Sequence, residues 1–184
     1  IQGRGTGGTG VAYTTGSADY AEYFKKTDLS ESLPPGSLVQ IVGNNTVTKT
    51  TSGKPLGVVS DSAGFIGNSP SCPVGEEELC EIEIEKYNAL VGMMGQIRTL
   101  VSTENGPISP GDPLTISSTP GVAMKATTAG YTIGHALESY NQPGIARINS
   151  YINPSWYDPD IFITENGQVA VNYNVSAEVL DSLG

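Results

Sequence analysis

The sequence predicts a mainly β fold. Two related strand units pack as a pseudo-symmetric β-barrel or sandwich, with an extended N-terminal arm before them and a C-terminal β-hairpin after them. Three observations predict it. Short, β-branched apolar runs recur between turn residues. The 23 Gly and 12 Pro among 184 residues leave little room for long helices. One stretch of the chain also resembles another.

Residues 1–16 are Gly- and Thr-rich with little to bury, and read as an extended arm. ADYAEYFKK (18–26) suits either a strand or a short helix capped by Ser17. The β domain spans 17–152. Its apolar runs are LVQIV, PLGVVS, EIEIE, ALVGMMGQIRTLVS, PLTIS and IARINSYI. Residues 153–184 form a hairpin and a short tail. Asn166-Gly167 between IFIT and QVAVN signals a type I′ turn, which needs positive φ at both central residues. SAEVLDSL, capped by Ser176, is the better helix candidate.

The internal repeat pairs 33–60 with 108–139. Pro35-Gly36 matches Pro110-Gly111, Lys49 matches Lys125, and Gly57 matches Gly134. Each copy reads as three strands separated by turns. A unit that cannot bury its own face packs against its twin.

Composition narrows the function. A formal charge of −10 disfavours nucleic acid and anionic membrane surfaces, which call for a basic face. No apolar run approaches the ~18 residues of a membrane span, so a soluble domain is expected. The chain opens on Ile1 without a signal-peptide pattern, as a processed protein or a piece of a longer one would. GRGTGGTG lacks the Lys-Ser/Thr ending of a phosphate loop, and no cofactor is expected. Cys72 and Cys80 bracket a short loop and read as a disulfide, which implies an oxidising, extracellular setting. His135, a single histidine, reads as structural or superficial.

Three constellations carry weak chemical signals. Ser17 could attack its preceding carbonyl with Asp19 or Glu22 moving the proton. The plainer and preferred reading makes Ser17 a cap and the two carboxylates ordinary surface groups. Alternation in EIEIE would set Glu81, Glu83 and Glu85 on one strand face, where they could attract a divalent cation, but a solvated face is favoured. Tyr151, Trp156 and Tyr157 form an aromatic group amid turn residues. They could stack on sugars as in a carbohydrate-binding adhesin, although Trp156 plugging one end of the core is the favoured reading.

Residues 18–68 resemble a known domain. ADYAEYF, LGVVS (56–60) and Ile66-Gly67-Asn68 are similar to the peptidase G2 domain of phage tailspikes and neck appendages. That family is described as an autoproteolytic intramolecular chaperone of trimeric fibres. The segment from VSTENGPISPGDPLTI to INPSWYDPD looks like a recurrent domain of long bacterial surface proteins. The chain departs from the phage members after Phe24, where Lys25 to Ser30 replace an aromatic and an Asp-Gly-Asn-Pro turn.

The expected function is therefore structural: an extracellular fibre, filament or phage-appendage module whose partners are copies of itself. The resemblance implies a trimer. Head-to-tail polymerisation, with the arm adding a strand to an open edge, is the other geometry. The alternative is a self-cleaving peptidase that cuts once near Ser17.

Overall fold

The computed structural model describes residues 19–172. Residues 1–16, Ser17 and the helix expected over 176–183 lie outside that range. The chain runs β1 (Asp19–Lys26), β2 (Leu38–Ile41), β3 (Thr46–Lys49), β4 (Gly57–Val59), β5 (Phe65–Gly67) and α1 (Glu77–Tyr87). It continues through β6 (Asn88–Ser102), β7 (Pro113–Ile116), β8 (Ala123–Lys125), β9 (Gly130–Ala136) and β10 (Ile145–Tyr157). It closes with β11 (Ile161–Ile163) and β12 (Val169–Val171). The fold is mainly β, and ADYAEYFKK takes its strand alternative.

Ten strands form one mixed sheet in the order β10-β9-β7-β8-β6-β4-β2-β3-β1-β5, with β6 also pairing β10 and β1. The pairings therefore return to the 15-residue β6 from both sides. One circuit passes through β10, β9, β7 and β8, and the other through β4, β2, β3 and β1. The larger apolar cluster joins Leu38 and Val58 to Ile97, Ile108, Leu114, Ile133 and Ile152. A second gathers Phe24, Val39, Val47, Val59 and Val91.

The Pro-Gly turns have a physical cause. Pro presets the first central φ, and Gly supplies the positive second one, as a type II turn requires. Gly36 has φ +93° and Gly111 +90°. Ser37 N donates to Pro34 O (3.1 Å), as Asp112 N does to Ser109 O (3.0 Å). Val39 then pairs with Lys49 and Gly57, while Leu114 pairs with Lys125 and Gly134.

Three expectations are corrected. EIEIE is helical, lying within α1. Glu, Leu and Lys favour helix, and a five-residue alternation is too short to impose a strand. Glu76 gives α1 no side-chain cap, and the Cys72–Cys80 disulfide clamps its first turn instead. Second, YINPSWYDPD is not a turn region, because β10 extends to Tyr157 and accommodates Pro154 at an irregularity between Ile152 and Ser155. Trp156 is 61% exposed and plugs nothing. Third, the Asn-Gly hairpin forms between β11 and β12, but only Gly167 has positive φ (+77°). Gly167 N donates to Thr164 O (2.8 Å), so the loop is a Thr164–Gly167 turn followed by a glycine bulge rather than type I′.

In the chain-entropy account a disulfide closing so short a loop is worth ~2–3 kcal/mol. Leu79 and Ile82 of α1 are exposed, and Lys26 Nζ (2.7 Å to Glu85 O) and Asn88 Nδ2 (3.0 Å to Ile84 O) tie down its C-terminal end. Reduction is therefore expected to melt α1 alone. Far-UV dichroism should lose its helical component while the sheet's unfolding midpoint stays nearly fixed. Simultaneous loss of both would show that α1 supports the sheet.

Candidate functional site

β1 carries the first candidate group. Asp19 and Ala21 are buried, with the half-buried Tyr20 between them. The Asp19 carboxylate is a buried charge-bearing group with a partial set of partners. Oδ2 accepts a 2.7 Å hydrogen bond from Ser60 Oγ, just after β4, and Ser62 N donates to that hydroxyl oxygen at 3.1 Å. Oδ1 has no partner among the described residues. Gly92 of β6 makes the room, since a Cβ there would stand 3.2 Å from Oδ2 and 2.1 Å from Ile97 Cδ1.

Burial pushes the Asp19 pKa up, because a desolvated carboxylate is disfavoured, and the Ser60 hydrogen bond only partly opposes it. The nearby Asp61 carboxylate pushes the same way. Asp61 itself is held below the usual range by Arg147, whose guanidinium grips both oxygens at 2.8 and 3.0 Å. Two adjacent carboxyls thus sit in opposite regimes.

A pH dependence follows. A carboxyl with a raised folded-state pKa contributes stability below its unfolded pKa, and that contribution is lost as pH rises through the folded value. Asp19→Asn retains an acceptor for Ser60 and removes the ionisation. It is expected to match or exceed the parent in thermal midpoint at neutral pH, and to lose that advantage on acidification to about pH 4. Paired melts across this range check it; an offset independent of pH would sink the assignment.

Glu22 is not brought to Asp19. Three residues apart on a strand, their side chains leave opposite faces. Glu22 instead accepts a hydrogen bond from Tyr20, whose ring stacks on Phe65 of β5 at 5.6 Å. That hydrogen bond to Glu22 raises the Tyr20 pKa. Asp19 and Glu22 are therefore not equivalent surface carboxylates. Sequence reasoning missed Ser60, although it closes the LGVVS motif. An apolar run ending in a serine was its only local signal.

Beside this cluster a cleft of about 650 Å³ is lined by Ser60, Asp61, Ser62, Tyr23, Lys26 and Asn88, among others. Burial, then Glu85 and Glu81, raise the Tyr23 pKa. Helical geometry sets Glu81 and Glu85 one turn apart and turns Glu83 away from them. The three do not form the row expected of a strand. Among the described residues no group of three His, Cys, Asp or Glu is placed to hold a metal ion.

The aromatic candidates separate in the same way. Trp156 sits opposite Tyr131 of β9 and meets it edge-to-face at 5.1 Å. Lys54 Nζ lies 5.6 Å from the Tyr131 ring centre, within cation–π range. Tyr151 lies opposite the exposed His135, on the far side of the β10 irregularity, and Tyr157 lies opposite Gly130. The pair the fold assembles is thus Trp156–Tyr131. Such an exposed pair can stack on a sugar ring or a protein surface.

No helix among the described residues is long and apolar enough to cross a membrane. No protein-family model matches the chain, and no curated protein matches it in sequence. Among solved structures the chain is similar to the pre-mature form of bacteriophage phi29 gene product 12, at 15% identity and a TM-score of 0.51. The likeness covers 76% of this chain and 22% of that one, so this chain corresponds to about a fifth of that protein's length. At this identity it is the fold that the two share.

Proposed function

We propose that this chain is a structural, self-associating module of an extracellular fibre or phage appendage. The observation that carries the reading is the fold shared with a bacteriophage protein. The peptidase G2-like motifs over 18–68 point the same way. The disulfide Cys72–Cys80 suits an oxidising, extracellular or virion setting. The matched turns and registers of 33–60 and 108–139 support a duplicated unit. In this reading the two units form pseudo-symmetric halves of a barrel-like body that share β6.

Light scattering of the intact chain, with denaturing mass spectrometry alongside, tests this reading. An uncut chain with the solution mass of several copies supports it. A single-copy mass at every concentration overturns it. A chain lacking residues 1–16 tests the arm as a contributor, and loss of mass on that truncation is the expected result.

A second reading has a specific observation behind it. Asp19 is a buried carboxyl with a raised pKa, two residues after Ser17, which suits a proton donor for one self-cleavage event. Cleavage near Ser17 in the parent, absent in Asp19→Asn, would establish it. An intact parent mass after prolonged incubation would dismiss it.

A further inference from the structure

We propose that Asn166 is a site of spontaneous covalent modification, where the side-chain amide is lost as ammonia and an aspartyl or isoaspartyl linkage takes its place. The same tetrapeptide elsewhere in the chain is protected from this reaction by the fold.

Thr-Glu-Asn-Gly occurs twice, at 103–106 and 164–167. Both copies make the same turn. Gly106 N donates to Thr103 O (2.9 Å) and Gly167 N to Thr164 O (2.8 Å), with φ of +92° and +77° at the glycines. A Cβ at either glycine would meet nothing within 4 Å, so the nitrogen that must react is uncrowded in both. The copies differ in what holds the asparagine. Asn105 Nδ2 donates to Lys125 O (3.1 Å) and Thr127 Oγ1 (3.4 Å). Glu104 beside it accepts from Ser118 N (3.0 Å) and Ser118 Oγ (2.9 Å). Glu165 and Asn166 are exposed, and their side chains hydrogen-bond to no described residue. The settings differ as well. The first turn follows β6, which pairs on both sides within the ten-stranded sheet. The second joins β11 to β12, a two-stranded sheet of its own, and such hairpins are marginal in water.

The chemistry needs only water and an open turn. Glycine suits it because no side chain restricts its backbone. Once the turn bond opens, Gly167 N gives its proton to a solvent base and attacks Asn166 Cγ. The new N–Cγ bond closes a cyclic succinimide while the Cγ–Nδ2 bond breaks, and Nδ2 takes a proton from water and leaves as ammonia. Water then adds at Cγ to give aspartate, or at the Asn166 main-chain carbonyl carbon to give isoaspartate. Nothing is oxidised or reduced. Either product sets a second carboxylate beside Glu165. The isoaspartyl form also routes the backbone through Cβ, which lengthens the turn that sets Ile163 opposite Val169. The reactive population is the locally opened one, and the two extra hydrogen bonds on Asn105 reduce it on the order of tenfold there.

The test incubates the intact chain at mildly alkaline pH, with and without concentrated urea, and follows both asparagines by proteolysis and peptide mass spectrometry. In the folded chain Asn166 is expected to convert on the order of tenfold faster than Asn105, giving both products. In urea the two rates should converge, because the fold and not the tetrapeptide separates them. Equal rates in the folded chain would overturn the proposal, as would an inert Asn166 in a chain whose asparagines react in urea. A difference that persists unchanged in urea would assign it to the flanking Pro107 and Gln168 and overturn protection by the fold.

Discussion

Gly134→Ala is expected to cost at least 3–5 kcal/mol, enough to lower the unfolding midpoint by roughly 10 °C or to prevent folding outright. A Cβ at this position would stand 2.0 Å from the backbone oxygen of Tyr151, and the residue has φ +150°. The obstacle is main chain of the neighbouring β10, which no rotamer change can clear. Either the β9–β10 ladder parts or the bulged half of β10 moves. Gly57→Ala meets the same kind of barrier in β6, with its Cβ 2.5 Å from Gly92 O and 2.7 Å from Val91 Cγ1. Gly167→Ala is the control. It also has positive φ (+77°) but nothing within 4 Å, so it should cost about 1–2 kcal/mol. Urea unfolding of the three variants checks the ranking. If Gly134→Ala proves as mild as Gly167→Ala, the close approach to β10 is wrong.

Leu38→Ala is expected to cost 2–5 kcal/mol, the range for emptying a buried leucine site. Leu38 is fully buried, and although it starts β2 it packs in the cluster with Ile108, Leu114 and Ile133, far along the chain. Its N–H donates to Gly121 O (2.8 Å), and Gly121 N donates to Thr50 O (2.9 Å), so residues 38–50 and the turn at Gly121 are also joined by main chain. The loss should therefore be felt on both sides of β6 as one transition. Hydrogen exchange across β3 and β9 checks this. Accelerated exchange confined to β3 would mean that the two sides of β6 unfold separately.

What the sequence revealed follows from how local its determinants are. The Pro-Gly turns were legible because a type II turn depends on two adjacent residues, and Lys49/Lys125 and Gly57/Gly134 fell at matching register positions. The helix over Glu77–Tyr87 was misread because alternating Glu and Ile satisfy a two-residue period over five positions, while propensity and the covalent clamp at Cys80 decide the longer segment. The Asp19–Ser60 contact spans 41 positions and depends on the space left by Gly92, so no local pattern announces it. The partnership of Trp156 with Tyr131 was hidden for the same reason, since it requires the register of β9 against β10.

The shared strand β6 has a consequence for synthesis. β1 to β4 are all made before it, ending at Val59, while β6 ends at Ser102. At ~5–20 residues per second, β1 to β4 wait ~2–9 s on the ribosome before the strand they pair with has been translated. During that interval Val39, Val47 and Val58, all fully buried in the folded sheet, stay exposed to water. A rare-codon pause placed between residues 60 and 88 should lengthen the exposure and lower the soluble yield. The same pause placed after residue 102 should spare β1 to β4.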